Sequence, residues 1–272
     1  VQLDGLTTST WSVFAEDRLS LAHDRVAVTA GVRRDENDAF GASTNPRLAV
    51  TWNVTSALRL RAGAGTAFRA PSTGELYYPF SGNPDLAPEE SASYEVGGEW
   101  TVAPGVAVEA SLFRNDVKDL IRYDFAYQRN VNVGRARMTG VEVSARAPLG
   151  GSLQLRAAYT WLDTEDLDTG LPLLRRPAHR ASVTLAGDLG RGATAEVTGL
   201  YVGERDDVDA TTYLRVTSPS YFRVDLAATG PRLFGHVAPF VRVTNLLDRA
   251  YSEVAGYPSP GVRFVAGLDV AF

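Results

Sequence analysis

Two runs of carboxylates are the groups in this chain most able to do chemistry. Asp163-Thr164-Glu165-Asp166-Leu167-Asp168 and Glu204-Arg205-Asp206-Asp207-Val208-Asp209 offer the oxygen donors that a hard cation takes. Neither run has the ligand spacing or the fixed glycine of a calcium loop, so solvated loops are the simpler expectation and no metal site is assigned. His179 beside Asp163, Asp166 or Asp168 could imitate the acid/base pair of a hydrolase. The other histidines, His23 and His236, fall in turns at the opposite end of the strands, so no two histidines can share a metal. The expectation is a protein that is not an enzyme, with no catalytic residue and no cofactor. Aromatic side chains at Tyr77, Tyr78, Phe80, Tyr213, Tyr251 and Tyr257 lie in long connections, where they can stack on a flat ligand. Arg175 and Arg176 are the candidate contacts for an anionic ligand.

Composition narrows the classes further. The chain has 272 residues, no cysteine and a formal net charge of −5. Disulfides and thiolate chemistry are excluded, and there is no basic footprint for nucleic acid. No apolar run approaches the length of a membrane-spanning helix. The chain opens at Val1 without a charged segment and an apolar stretch behind it, so any export signal is expected to lie outside it.

The elements that must position these groups show a period of two. In Ser152 to Trp161, Leu153, Leu155, Ala157, Tyr159 and Trp161 share one face, and Ser152, Gln154, Arg156 and Thr160 share the other. The same alternation recurs along the chain and predicts about thirteen strands. They fall near 8–20, 24–34, 45–54, 57–66, 92–102, 105–126, 131–147, 151–163, 180–189, 192–203, 220–229, 235–245 and 261–272. Most exceed the usual length of about 5–6 residues and match the roughly 9–11 that a tilted membrane-spanning strand needs. Connections alternate short and long. The short ones lie near 23–24, 54–56, 103–105, 149–151, 190–192 and 230–231, and the longer ones cover 35–44, 67–91, 127–130, 164–179, 204–219 and 246–260. Outer-membrane barrels have this rhythm, with short turns on one side of the membrane and long loops on the other. The fold class is therefore all-β, an antiparallel transmembrane β-barrel. Trp52 and Trp100 are expected in an aromatic girdle at the membrane interface.

With Phe272 at the short-turn end, an odd count makes the first and last strands run the same way, and these two cannot pair antiparallel. Further strands upstream of Val1 are expected to complete an even-numbered barrel.

Several segments resemble one family. Gly63-Ala64-Gly65-Thr66-Ala67-Phe68-Arg69-Ala70-Pro71-Ser72, then Glu75-Leu76-Tyr77, then Gly82-Asn83-Pro84-Asp85-Leu86-Ala87-Pro88-Glu89-Glu90-Ser91 resemble the "FRAPS…NPDLKPE" region of TonB-dependent outer-membrane receptors. Asn132-Val133-Gly134-Arg135-Ala136-Arg137, Gly140-Val141-Glu142, Asn245-Leu246-Leu247-Asp248-Arg249-Ala250-Tyr251 and Gly256-Tyr257-Pro258 follow in family order. The last strand, ending in Phe272, is similar to the membrane assembly signal of such barrels. Leu171-Pro172-Leu173-Leu174-Arg175-Arg176 is similar to the vitamin B12 (cobalamin) receptor subgroup. The resemblance implies a barrel of about 22 strands occluded by an N-terminal plug. Its implied task is uptake of a scarce small-molecule nutrient, a ferric siderophore, haem or cobalamin, in the bacterial outer membrane. The implied partners are outer-membrane lipid, the barrel assembly machinery and TonB. Residues 1–272 correspond to the C-terminal portion of that barrel, and neither plug nor TonB box is visible in them. A passive porin and an outer-membrane hydrolase are the alternatives.

The family motifs also have structural readings. Asn83, Pro84, Asp85 and Pro88 suit a rigid loop, and Asn245 and Asp248 suit a cap on the turn that leaves a strand. Gly134 and Gly140 suit a bend.

Overall fold

The computed structural model describes residues 8–38, 41–124, 127–209 and 211–271. Thirteen strands form one sheet in chain order. They are β1 (Thr10–Leu21), β2 (Val26–Asn37), β3 (Gly41–Asn53), β4 (Leu58–Arg69), β5 (Glu89–Ala103), β6 (Val106–Asp124), β7 (Arg129–Gly150), β8 (Leu153–Asp166), β9 (His179–Gly190), β10 (Ala193–Val202), β13 (Tyr221–Thr229), β14 (Val237–Thr244) and β17 (Arg263–Val270). Two small hairpins lie in the connections, β11 (Arg205–Val208) with β12 (Arg215–Ser218) and β15 (Ser252–Val254) with β16 (Tyr257–Pro258). One short helix, α1 (Thr73–Tyr77), follows β4. All thirteen expected strands are present, and no described helix is long and apolar enough to cross a membrane.

Chain contacts gather into two units. One holds residues 1–98, 111–139 and 164–171, and the other holds 99–110, 140–163 and 172–272. Strands β5 to β8 contribute residues to both.

Register explains why alternation was readable. In the second unit Leu155 sits opposite Leu185, Leu185 opposite Val197 and Val197 opposite Leu226. Leu226 then sits opposite Val243, and Val243 opposite Phe264. One apolar row thus crosses six strands, because equal parity in each strand points to one face. These side chains are not a soluble core. Among the described residues only eight hydrophobic side chains are buried, whereas Trp52, Trp100, Leu185, Phe222, Phe264 and many others are exposed. An apolar surface of that extent is unlike a water-soluble monomer and matches the outward band of a transmembrane barrel.

The other face is polar and laced by arginine–glutamate pairs that reach over an intervening strand. Arg47 on β3 meets Glu16 on β1, and Gly31 on β2 leaves the room, since a Cβ there would lie 3.2 Å from Arg47 Nε. Arg156 on β8 meets Glu196 on β10 at 2.5 Å, above β9. Arg146 on β7 meets Glu99 on β5 at 3.2 Å.

Two connections differ from the sequence expectation. The long loop expected over 35–44 is mostly strand, because pairing continues to Asn37↔Gly41. Both faces are polar there: Arg33, Asp35 and Ser12 bond to one another, so alternation disappears while the backbone ladder persists. The short turn expected at 230–231 instead runs through His236, with Leu233 bridged to Val237 and Phe234 and Gly235 at left-handed φ of 53° and 79°. The tall hairpin formed by β6 and β7 is present, with strands of 19 and 22 residues. Phe272, the expected assembly signal, lies outside the described residues.

Candidate functional site

In each unit the long connections leave one end of its strands, and charged or amide side chains fasten them. In the first unit the clamp begins where β4 ends. Arg69 donates to Glu89 through Nε and Nη2, both at 2.7 Å, and to Glu75 at 3.0 and 3.1 Å. Ser72 caps α1: its hydroxyl accepts from the Glu75 N–H at 3.2 Å, and the Glu75 carboxylate accepts from the Ser72 N–H at 2.7 Å. This reciprocal pair is a capping box, and it explains how so short a helix forms. The Arg69 guanidinium pulls the Glu75 carboxyl down to about 2, against its burial and with help from the Ser72 N–H.

Asn83 then fastens the loop to the tall hairpin. Its side-chain amide donates to Asn130 O at 2.9 Å, and its side-chain oxygen accepts from the Asp85 N–H. Asn132 does the same for Ala87, donating to its carbonyl and accepting from its N–H, both at 2.9 Å. Leu76, Leu86 and Ile121 close a small buried cluster with Tyr77 packed against it. The FRAPS and NPDL segments are therefore a structural clamp, as their proline and amide content suggested. Gly134 serves a close approach: a Cβ there would run into the Asp168 carboxylate, and Leu167 donates to Arg135 O beside it at 2.7 Å.

In the second unit one carboxylate ties three connections together. Asp207 on β11 is fully buried. Its Oδ1 accepts from Arg175 Nε and from the Val208 N–H, both at 2.8 Å, while Oδ2 accepts from the Ala255 N–H at 2.7 Å. Burial alone would raise its pKa, but the Ala255 N–H, the Arg175 guanidinium and the Val208 N–H together hold it below the usual range. Arg205, two residues earlier, is also buried and donates to the carbonyls of Ser252 at 2.5 Å and Glu253 at 3.3 Å. Asp206 pairs with Arg215 at 2.6 Å. Asp209 accepts from the N–H groups of Thr212 and Thr211. The run expected to be a solvated loop is thus a packed hub in which each of these carboxylates already has protein donors. Its signal was faint but present: Arg205 and Asp207 share the period-two face of a strand.

Asn245 closes the last connection. It is 1% exposed, accepts from the Arg249 N–H at 2.9 Å and donates to Arg249 O at 3.0 Å. Asp248 accepts from the Val262 N–H at 3.1 Å. Both fulfil the capping role expected of them.

The aromatic and arginine candidates divide by what they touch. In the first unit Tyr77 packs on the loop cluster, whereas Tyr78 is exposed and Phe80 is 99% exposed at a left-handed φ of 68°. In the second unit Arg175 is committed to Asp207, and Tyr251 stacks on Tyr221 with ring centroids 4.3 Å apart while its hydroxyl accepts from Arg223 at 2.9 Å. Arg176, Tyr213 and Tyr257 are exposed. His179 has its Nδ1 2.8 Å from the Tyr159 hydroxyl rather than on a carboxylate. Among the described residues no group of three histidine or acidic side chains is arranged to hold a metal.

A thirteen-stranded sheet in chain order, with apolar and charged residues alternating along its strands and its long connections clamped, is the wall of a transmembrane β-barrel. The family described as TonB dependent receptor-like, beta-barrel, matches residues 2–246, and the chain belongs to that family. Among solved structures it resembles the ferric enterobactin receptor PfeA from Pseudomonas aeruginosa, with a TM-score of 0.81 at 22% identity over 97% of this chain and 45% of that one. The siderophore receptor PirA from Acinetobacter baumannii gives 0.80 at 20% identity over 97% of this chain and 46% of that one. The copper transporter OprC gives 0.82 at 20% identity over 97% and 48%. The chain thus spans about half the length of the structures it matches.

Proposed function

We propose that this chain is the C-terminal part of the barrel of a TonB-dependent outer-membrane receptor. Its long loops face the outside and its short turns face the periplasm. The observation that carries this reading is the family match over residues 2–246 on a sheet of thirteen strands in chain order. The sheet has β1 and β17 at its edges, and with thirteen alternating strands these two run the same way. Closure of an antiparallel barrel takes an even number, so strands supplied from outside residues 1–272 complete the wall. The plug and the TonB-contacting segment come from the same missing portion.

The parent protein takes up a scarce nutrient with energy delivered through TonB, and does not catalyse a reaction. Two of the three solved neighbours are named as siderophore receptors and one as a copper transporter, which favours a ferric siderophore over cobalamin. Contacts to such a ligand come from Tyr78, Phe80, Tyr213, Tyr257 and Arg176, the exposed candidates on the long loops, while Tyr77, Arg175 and Tyr251 chiefly hold those loops in place. Outer-membrane lipid surrounds the apolar face, and the barrel assembly machinery recognises the last strand with Phe272.

Uptake of radiolabelled ferric siderophores and of cobalamin by cells expressing the full-length receptor tests this. Accumulation should require TonB and a proton-motive force. Flux that persists without either would identify a passive pore instead.

A further inference from the structure

We propose that the apolar face of β9, β10 and β13 holds one acyl chain of a phosphate-bearing membrane lipid, with His179 at its headgroup. Three rows of side chains define the site. Nearest the long loops lies Tyr159–Ala181–Tyr201–Phe222, next Ala157–Val183–Gly199–Val224, and then Leu155–Leu185–Val197–Leu226. Gly199 removes a side chain from the middle row, and a groove of about 370 Å³ opens there, walled by Leu185 and Val197 on one side and Tyr201 and Phe222 on the other. The Phe222 ring leans toward the gap, since a Cβ on Gly199 would lie 3.0 Å from its Cζ.

The chemistry at the rim differs from that in the groove. His179 is on the same face, opposite Trp161, four residues or about 13 Å of strand above Val183. Its ring is fixed by stacking on Tyr159 (centroids 6.2 Å apart, planes 22° apart) and by the Tyr159 hydroxyl at Nδ1. In the tautomer where Nδ1 accepts, Nε2–H remains to donate to an anion. A hydrogen-bond donor among tyrosine and tryptophan rings, above a carbon-lined groove, matches a phosphate headgroup, its interfacial region and an acyl chain in that order. The occupant is a lipid because the groove is continuous with the membrane-facing surface of the barrel.

This site rests on the membrane placement proposed above, and one experiment separates the two. The full-length receptor is reconstituted in phosphatidylcholine vesicles with Trp161 as the only tryptophan of this region, Trp11, Trp52 and Trp100 being replaced by phenylalanine. A matched variant keeps Trp11 instead, which also lies at the long-loop end of its strand. With every lipid brominated, both reporters should be quenched; absence of quenching would sink the membrane placement itself. With brominated phosphatidic acid as a minor component, Trp161 should be quenched as if that lipid were enriched about five-fold, the effect of roughly one headgroup contact, and Trp11 only in proportion to its amount. Gly199→Leu should erase the difference. Equal quenching of the two reporters in the unsubstituted sheet would overturn the proposal, as would protection of Trp161 through self-association of the receptor.

Discussion

Arg175 Nε lies 2.8 Å from Asp207 Oδ1, and the two side chains are unequally placed: the carboxylate is wholly buried and the guanidinium half exposed. The partners are therefore not equivalent. Asp207 also receives the N–H groups of Val208 and Ala255, so its loss orphans buried donors, which costs more than the loss of one exposed cation.

Asp207→Ala should loosen the connections 203–220 and 245–262 by about 3 kcal/mol, in the range for hydrogen bonds to a buried charge. Arg175→Ala should cost about 1 kcal/mol or less, because solvent screens the guanidinium. Hydrogen exchange at the Ala255 amide reads both. Equal acceleration in the two variants would contradict the hub.

The Glu75 clamp carries a pH dependence. Its carboxyl is lowered from 4.5 to about 2, so the stabilisation it contributes is fully present above the unfolded value. It is lost as pH falls through the folded one. The 70–88 loop should resist protease at pH 6 and become sensitive between about pH 4.5 and pH 2. In Arg69→Ala the onset of sensitivity should move upward, and an unchanged onset would remove Arg69 as the cause.

Gly82 is held by backbone rather than by a yielding side chain. A Cβ there would meet Leu76 O and Tyr78 N, both at 2.7 Å. Gly82→Ala should cost about 1–3 kcal/mol by overpacking and release Asn83 from Asn130. Ligand affinity of the full-length receptor should fall with it if Phe80 is a contact. Wild-type loop protection in this variant would contradict the contact.

Strands such as β8 and β9 were legible because each has one apolar face and one face of polar and charged neighbours, which is what a period of two reports. The outer ends of β2 and β3 were not, since Arg33, Asp35, Ser43 and Thr44 are polar on both faces and only backbone pairing continues. The clamp at Asn83 and the cap at Asn245 could be read from residue type, because proline and asparagine have few other uses in a turn. Asp207 could not be separated from Asp206 or Asp209 by type. What distinguishes it is the Ala255 N–H, 48 residues away, and no local pattern encodes that distance.

The turn at 191–192 shows a local strain that sequence can relieve. Arg191 sits at φ 58° before Gly192 at φ 79°, a conformation that asparagine tolerates better than arginine. Arg191→Asn should raise stability by roughly 0.5–1 kcal/mol, measured as resistance of the folded band to heat in detergent. A lower unfolding temperature would show that Arg191 has a contact outweighing the strain.

Surface labelling tests the barrel orientation most directly, and the absence of cysteine from this chain makes single replacements clean. Phe80 is 99% exposed in a long connection, and Phe234 is 93% exposed in a short turn between β13 and β14. In intact cells carrying the full-length receptor, a membrane-impermeant maleimide should label Phe80→Cys at once and Phe234→Cys only after the outer membrane is permeabilised. Labelling of both without permeabilisation, or of Phe234→Cys alone, would contradict a membrane-spanning wall with its long loops outside.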